Sequence, residues 1–234
     1  QKKIFSLCPT SLHKARLLEE LDDSLIEKVL EHESEKSISK IFRYLDTNDQ
    51  ATIIGMFPDS KQQEILTKIE VDDKDDVEEI MSYPDDSAGS VMTKETFTLN
   101  QNTTVKESIK KLQSFPENDK IFYLYVLDNK EKLVGVVSLR TLVTSKNSKK
   151  LKEIMIKDIQ AATTSTDQEE VAKKVAQYNY LALPVVNRQN KFLGIVTIDD
   201  VVDIIREEAS EDFLQMAGVG KDREILLKSP IENA

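Results

Sequence analysis

Carboxylates are the most chemically capable residues of this 234-residue chain, and they fall into three groups. One is Asp72, Asp73, Asp75 and Asp76; the second is Asp85 and Asp86; the third is Asp200, Asp203, Glu207, Glu208, Glu211 and Asp212. On a helix, Glu208, Glu211 and Asp212 share a face, because they stand three and four residues apart, and the same spacing brings Asp200 near Asp203. Oxygen ligands gathered in this way suit a hard cation. The plainer reading of the same residues is a solvated acidic face, and Asp85 and Asp86 also suit a cap and a turn. Arrangements for catalysis are missing: no His stands with a Ser or Cys partner, no glycine-rich loop cradles phosphate, and the chain has 6 glycines in all. No enzymatic activity of its own is expected.

Composition narrows the partners. With 42 acidic and 32 basic residues the formal charge is −10, which disfavours nucleic acid, whose phosphates need clustered Lys and Arg. It equally disfavours anionic lipid. The single cysteine, Cys8, has no partner for a disulfide within the chain and points to a reducing compartment. His13 and His32 have no ligand spacing between them. No run of roughly 18 apolar residues is present to span a bilayer. The start at Gln1 and the abrupt tail over 228–234 read as a piece of a longer protein.

Two kinds of element must position these groups. From residue 10 to about 82, apolar residues recur at three- and four-residue spacing (Leu17, Leu18, Leu21, then Ile38, Ile41, Phe42, Leu45). With caps at 46–49 and 59–60 this predicts short helices, among them 50–56, 61–69 and 74–81, which need one another to be stable. The turn-rich stretch 83–90 closes this helical domain. Beyond it lies a repeat: Leu133-Val134-Gly135-Val136-Val137-Ser138 and Leu193-Gly194-Ile195-Val196-Thr197-Ile198 place their glycines 59 residues apart (194 − 135). Each follows an apolar strand and a polar turn, and precedes a helical pattern, so two copies of one small α/β module are predicted. Short strands at 96–99 and 159–162, and helices at 104–114 and 167–178, complete the copies. Asp167 with Glu170 reads as a capping box. An extra turn at 115–119 loosens the first copy. A last helix over 199–216 carries Val201, Val202, Ile204, Ile205, Ala209 and Phe213 on its apolar stripe, with Gly218 and Gly220 ending it.

This strand–helix–strand–strand–helix repeat, with Leu183-Pro184-Val185-Val186 and Gly194-Ile195-Val196-Thr197-Ile198-Asp199-Asp200, resembles a tandem pair of CBS domains over about 88–208. The flanks are similar to those of MgtE-type magnesium transporters: Tyr83-Pro84-Asp85-Asp86-Ser87-Ala88-Gly89, Val91-Met92-Thr93, Glu207-Glu208-Ala209-Ser210-Glu211-Asp212 and Met216-Ala217-Gly218-Val219. The fold class implied is α+β and multi-domain: an all-α, superhelical N-terminal domain over 1–84, CBS domains over 85–152 and 153–208, and over 209–234 the start of a connecting helix or tail.

The resemblance implies a Mg²⁺-sensing gating module on the cytoplasmic face of the cell membrane. It further implies a homodimer formed through the CBS domains and a membrane pore domain of the same polypeptide, absent from this chain. The metal candidates are Asp85, Asp86, Asp200, Asp203, Glu208, Glu211 and Asp212, bridging the helical domain, the CBS pair and the long helix and favouring a closed state. The alternative is an adenine-nucleotide-binding CBS module of an enzyme or another transporter, taking ATP or a related nucleotide. CBS pairs of that kind carry Ser/Thr-x-x-Asp, matched here by Thr197 and Asp200, with Leu183 and Pro184 against the base. In the first copy Ser138 and Thr141 lack the carboxylate. Thr197 reads equally well as the cap of the long helix.

Overall fold

The computed structural model describes residues 2–21, 23–31, 33–69, 71–115 and 121–216. Seven short helices come first: α1 (Lys2–Leu7), α2 (Ser11–Leu18), α3 (Asp23–Leu30), α4 (Glu35–Phe42), α5 (Thr47–Gly55), α6 (Asp59–Leu66) and α7 (Val71–Met81). Local capping sets several of their starts. Thr10 accepts a hydrogen bond from the His13 N–H and Ser34 from the Ser37 N–H. None is long enough to stand alone, and each buries residues in a common core, including Leu18, Leu30, Ile38, Ile41, Phe42, Ile54, Ile65 and Ile80.

The repeat is realised as two three-stranded sheets of the same topology. In the first, β1 (Thr98–Asn100) runs parallel to β2 (Tyr123–Leu127), which pairs antiparallel with β3 (Leu133–Ser138). In the second, β4 (Ala162–Thr163), β5 (Ala182–Val186) and β6 (Phe192–Thr197) repeat that order. Even the irregularity recurs, between Val126 and Leu127 and between Val185 and Val186, and each glycine lies across from a valine: Gly135 from Val126, Gly194 from Val185. Helices α8 (Val105–Gln113) and α9 (Leu139–Thr144) belong to the first copy, α10 (Gln168–Tyr178) and α11 (Ile198–Met216) to the second. Tyr125 and Phe192 stack with centroids 5.1 Å apart in an apolar layer that joins the two sheets.

Several details differ from the sequence expectation. Helix α5 begins at Thr47 rather than Gln50, because a distant carboxylate, not a local side chain, satisfies its first N–H. Strand β1 begins two residues later than 96–99 suggests, where Thr98 pairs with Tyr125, and β4 is only Ala162–Thr163 where 159–162 was expected, since pairing with β5 starts at Ala162. Asp167 caps α10 through the Glu169 N–H, but Glu170 pairs with Lys174 at 3.0 Å instead of closing the box. The turn at 116–119, His32, Gly218 and Gly220 lie outside the described residues.

One connection decides how the parts sit. The segment after α7 bonds to the second module before the chain enters the first. Ala88 donates to the Thr166 carbonyl, Gly89 to Thr164, and Thr93 exchanges backbone bonds with Ile195 at 2.8 and 3.0 Å. The core of the helical region therefore runs through Ala88 and Met92 into Leu183, Val196, Val201 and Ile204 without a break.

Candidate functional site

Helix α11 is where the helical region, the junction and the second module meet. At its start, Thr197 ends β6 with its side chain buried, and Asp200 stands three residues on. The Asp200 Oδ2 accepts from the Thr197 N–H at 2.9 Å and from the Thr197 hydroxyl at 2.6 Å, and the Asp200 N–H points to Thr197 Oγ1 at 3.3 Å. This is a capping arrangement that fixes both side chains. The other carboxylate oxygen, Oδ1, accepts from Asn48 Nδ2 at 2.9 Å, a bond that spans 152 residues of sequence and reaches from α5.

A second carboxylate supports the same helix end. Glu95 accepts from the Thr47 N–H at 3.2 Å and from the Thr47 hydroxyl at 2.7 Å, and from the Thr93 hydroxyl. Asp46, the residue before α5, makes no side-chain cap, so Glu95 does that work from 48 residues away. Its negative charge also faces the positive end of the α5 dipole.

Further along α11, Gln168 is the organiser. Buried at the start of α10, it donates its backbone N–H to the Asp86 carbonyl at 2.9 Å and its amide to Glu208 at 3.0 Å. Asp86 sits in the left-handed region (φ 57°), as a short polar side chain tolerates at a turn. Thus the structure brings the Asp86 carbonyl and Glu208 to one residue, Gln168, through its backbone and its side chain respectively, and Asp200 to Asn48. Asp85 is exposed in the same turn. Asp203 is exposed and pairs with Arg206 at 3.1 Å. Glu211 and Asp212 continue α11, but their side chains lie outside what the structure describes. Of the α7 carboxylates, Asp76 and Glu79 meet Lys94, at 3.4 and 2.5 Å, not the acidic residues of α11.

Burial works to raise the Glu79 carboxyl, but the hydrogen bonds from Lys94 and Tyr83 and the Lys94 charge outweigh it and hold it below its ordinary 4.5. A depressed folded value means that this contribution is present above about pH 4.5 and is lost as pH falls through the lowered value. Glu79→Gln is therefore expected to flatten the acid limb of stability below pH 4.5, measured by urea denaturation across pH. An acid limb identical to that of the unsubstituted chain would contradict it.

Fit to the expected ligands differs along the helix. Among the described residues no three His, Cys, Asp or Glu side chains are grouped to hold a metal ion, so a closed cage is not the geometry offered. What is offered at Gln168 is the Glu208 carboxylate beside the Asp86 carbonyl, oxygens that can join the shell of a hydrated hard cation. At the nucleotide candidate, strand alternation puts Leu183 against the helices and Pro184 on the opposite face, with Thr197 on the Pro184 side. The two residues do not line one wall, and a ribose at Asp200 would compete with Asn48 and Thr197. Asn48, Thr47, Glu95, Lys94 and Gln168 were not singled out by sequence, since no local pattern marks a contact of such span.

Comparison with known proteins bears on this arrangement. Residues 1–86 match the MgtE intracellular N domain, and 88–147 and 151–207 match the CBS domain. The magnesium transporter MgtE of Bacillus subtilis (strain 168) is 37% identical over 179 residues, 76% of this chain and 40% of the relative. That of Thermus thermophilus is 39% identical over 145 residues, 62% of this chain and 32% of the relative. This chain thus spans well under half the length of either. The crystal structure of the cytosolic domain of the Mg²⁺ channel MgtE in complex with ATP superposes with a TM-score of 0.81 at 30% identity, covering 86% of this chain and 83% of that one.

Proposed function

This chain belongs to the MgtE family, and from that premise we propose that it is the Mg²⁺-sensing gating module of a magnesium transporter or channel, held at the cytoplasmic face of the membrane. The observation that carries the reading is the convergence on α11. Asn48 reaches it from the helical region and Gln168 ties it to the junction turn, so charge on this helix bears on how the parts pack. Asp85, Asp86, Asp200, Asp203, Glu208, Glu211 and Asp212 are the proposed ligands, direct or through water. Two like charges 4 Å apart oppose one another by about 4 kcal/mol at an effective dielectric near 20. A bound Mg²⁺ supplies the charge that cancels this opposition. The carboxylates then tolerate the closed arrangement, and a membrane pore domain joined to this module reads that difference, since a ligand biases whichever state it binds better.

The outward half of α11 supports the homodimer as the assembled form. Val201 and Ile204 are buried, whereas Val202, Ile205 and Phe213 are 41%, 50% and 67% exposed, a set of apolar side chains open to a second copy. The reading assigns no catalytic step to the chain.

Equilibrium dialysis tests the metal reading: Mg²⁺ uptake is expected in the millimolar range, weakened by the combined Glu208→Gln, Glu211→Gln and Asp212→Asn variant. No uptake up to about 20 mM would sink it. A second reading, adenine-nucleotide binding at Thr197 and Asp200, is favoured by the ATP complex of the related cytosolic domain. It predicts thermal stabilisation by ATP that Asp200→Asn abolishes; no shift with ATP counts against it.

A further inference from the structure

We propose that the first module carries a docking surface for the anionic headgroups of a membrane, a patch of lysines on α8 and on the segment after α9 that meets lipid by charge and without insertion. The inference rests on the reading above only in placing a membrane beside the module. The total charge of −10 conceals an uneven distribution. Residues 101–157 hold 12 Lys or Arg against 6 Asp or Glu, so this module is basic in an acidic chain.

Backbone pairing gathers the lysines. Lys106 and Lys110 stand one turn apart on α8. The segment after α9 runs antiparallel to the chain entering α8. Leu151 N–H donates to the Thr103 carbonyl and Val105 N–H to the Lys149 carbonyl, both at 2.9 Å, and Lys106 N–H to the Asn147 carbonyl at 3.2 Å. Lys149 and Lys150 are thereby fixed beside the first turn of α8, with Lys146 and Lys152 on either side of them in sequence. All six lysines are exposed. The carboxylates nearby serve the backbone instead: Glu107 accepts from the Thr104 N–H at 2.9 Å, and Glu153 from the Lys150 N–H at 2.6 Å. Among the described residues no salt bridge takes up any of the six.

The second copy supplies the comparison. Counted from the capping residues Thr104 and Asp167, Lys106 takes the place of Glu169 and Lys110 that of Lys173. Glu169 and Lys173 pair at 2.8 Å, whereas the first copy sets two like charges there, which weakens its own helix. A basic surface held at that cost points to a negative partner. Lipid suits it better than nucleic acid. Lysines are point charges on flexible stems, fit for a diffuse layer of phosphates, and the six include no guanidinium fork for bidentate contact. Each lysine near an anionic membrane strengthens attachment about 5-fold. The acidic remainder of the chain is repelled by the same surface, so charge also sets which side faces it.

Vesicle co-sedimentation in EDTA tests the proposal on the purified chain. Vesicles of phosphatidylcholine and phosphatidylglycerol at about 3:1 are expected to bind it, and vesicles of phosphatidylcholine alone are not. Raising salt from about 0.05 to about 0.5 M is expected to release it. The combined Lys106→Gln, Lys110→Gln and Lys149→Gln variant is expected to bind about 100-fold more weakly. Lys36→Gln, Lys40→Gln and Lys68→Gln together remove the same charge from exposed positions of the helical region, and are expected to change binding less than about 3-fold. The lipid and salt dependence of the unsubstituted chain test the surface without any substitution. No binding to the anionic vesicles overturns the proposal, as do equal losses in the two triple variants. A duplex RNA bound through the same lysines, with the vesicles ignored, gives the patch to nucleic acid and overturns it too. Vesicle binding in EDTA with no Mg²⁺ uptake in dialysis defeats the metal reading and leaves the surface standing; uptake without vesicle binding does the reverse.

Discussion

Replacing Gly194 by alanine is expected to destabilise the chain by about 2–3 kcal/mol, whereas the same change at its repeat partner Gly135 costs less, about 1–2 kcal/mol. The two positions are equivalent in register, yet what surrounds them is not. A Cβ at Gly194 would stand 2.5 Å from the Thr93 carbonyl oxygen. That carbonyl is pinned, since it accepts from Ile195 N while Thr93 N donates back to the Ile195 carbonyl. Relief means moving the junction off the second sheet. Glu95 is two residues further on and would lose its aim at Thr47, so docking of α5 weakens with it. At Gly135 the new atom meets side-chain atoms only, the Met155 thioether, which can swing away, and the Met155 Cβ at 2.9 Å, which yields by a small backbone shift. Urea denaturation of the two variants measures the difference. Equal losses would mean that the junction is not fixed at Thr93.

That asymmetry also shows which parts of the molecule local sequence could reveal. The repeat was legible because both copies obey the same rules: an apolar strand, a polar turn, a glycine across from a valine, then a capped helix. The Thr197 and Asp200 pair was legible too, as residues three apart at a strand-to-helix turn carry a recognisable signature. Contacts across 48 and 152 residues were not. Nothing in the run Asp46-Thr47-Asn48-Asp49 distinguishes an amide that solvates itself in water from one buried against Asp200. The α7 carboxylates show the converse. They form one of the three acidic groups in the sequence, yet Asp76, with Glu79 beside it, is met by Lys94. Periodicity finds which face of an element is buried; it does not say which polar atom the burial brings with it.

Asp200→Ala is expected to have the second large effect, a loss of about 2–4 kcal/mol. Removing the cap partner of Thr197 accounts for about 1 kcal/mol. The rest comes from Asn48. Its Oδ1 is already buried without a hydrogen-bond partner, so losing the acceptor for Nδ2 strands the other end of the amide as well, at 7% exposure. A buried polar group stranded in this way costs about 1–3 kcal/mol. Asn48→Ala made in the Asp200→Ala background should therefore cost less than in the parent, with a coupling of about 1 kcal/mol or more. Strictly additive losses would mean that the two side chains do not depend on each other. The cycle also resolves an ambiguity that Asp200 alone leaves. This one carboxylate is the acceptor for Asn48, a proposed metal ligand and the acidic half of the nucleotide signature, so its removal disturbs all three. Asn48→Ala keeps Asp200 and Thr197 in place. Ligand binding that survives in Asn48→Ala and is lost in Asp200→Ala belongs to the carboxylate, and a change of shape common to both belongs to the docking of α5.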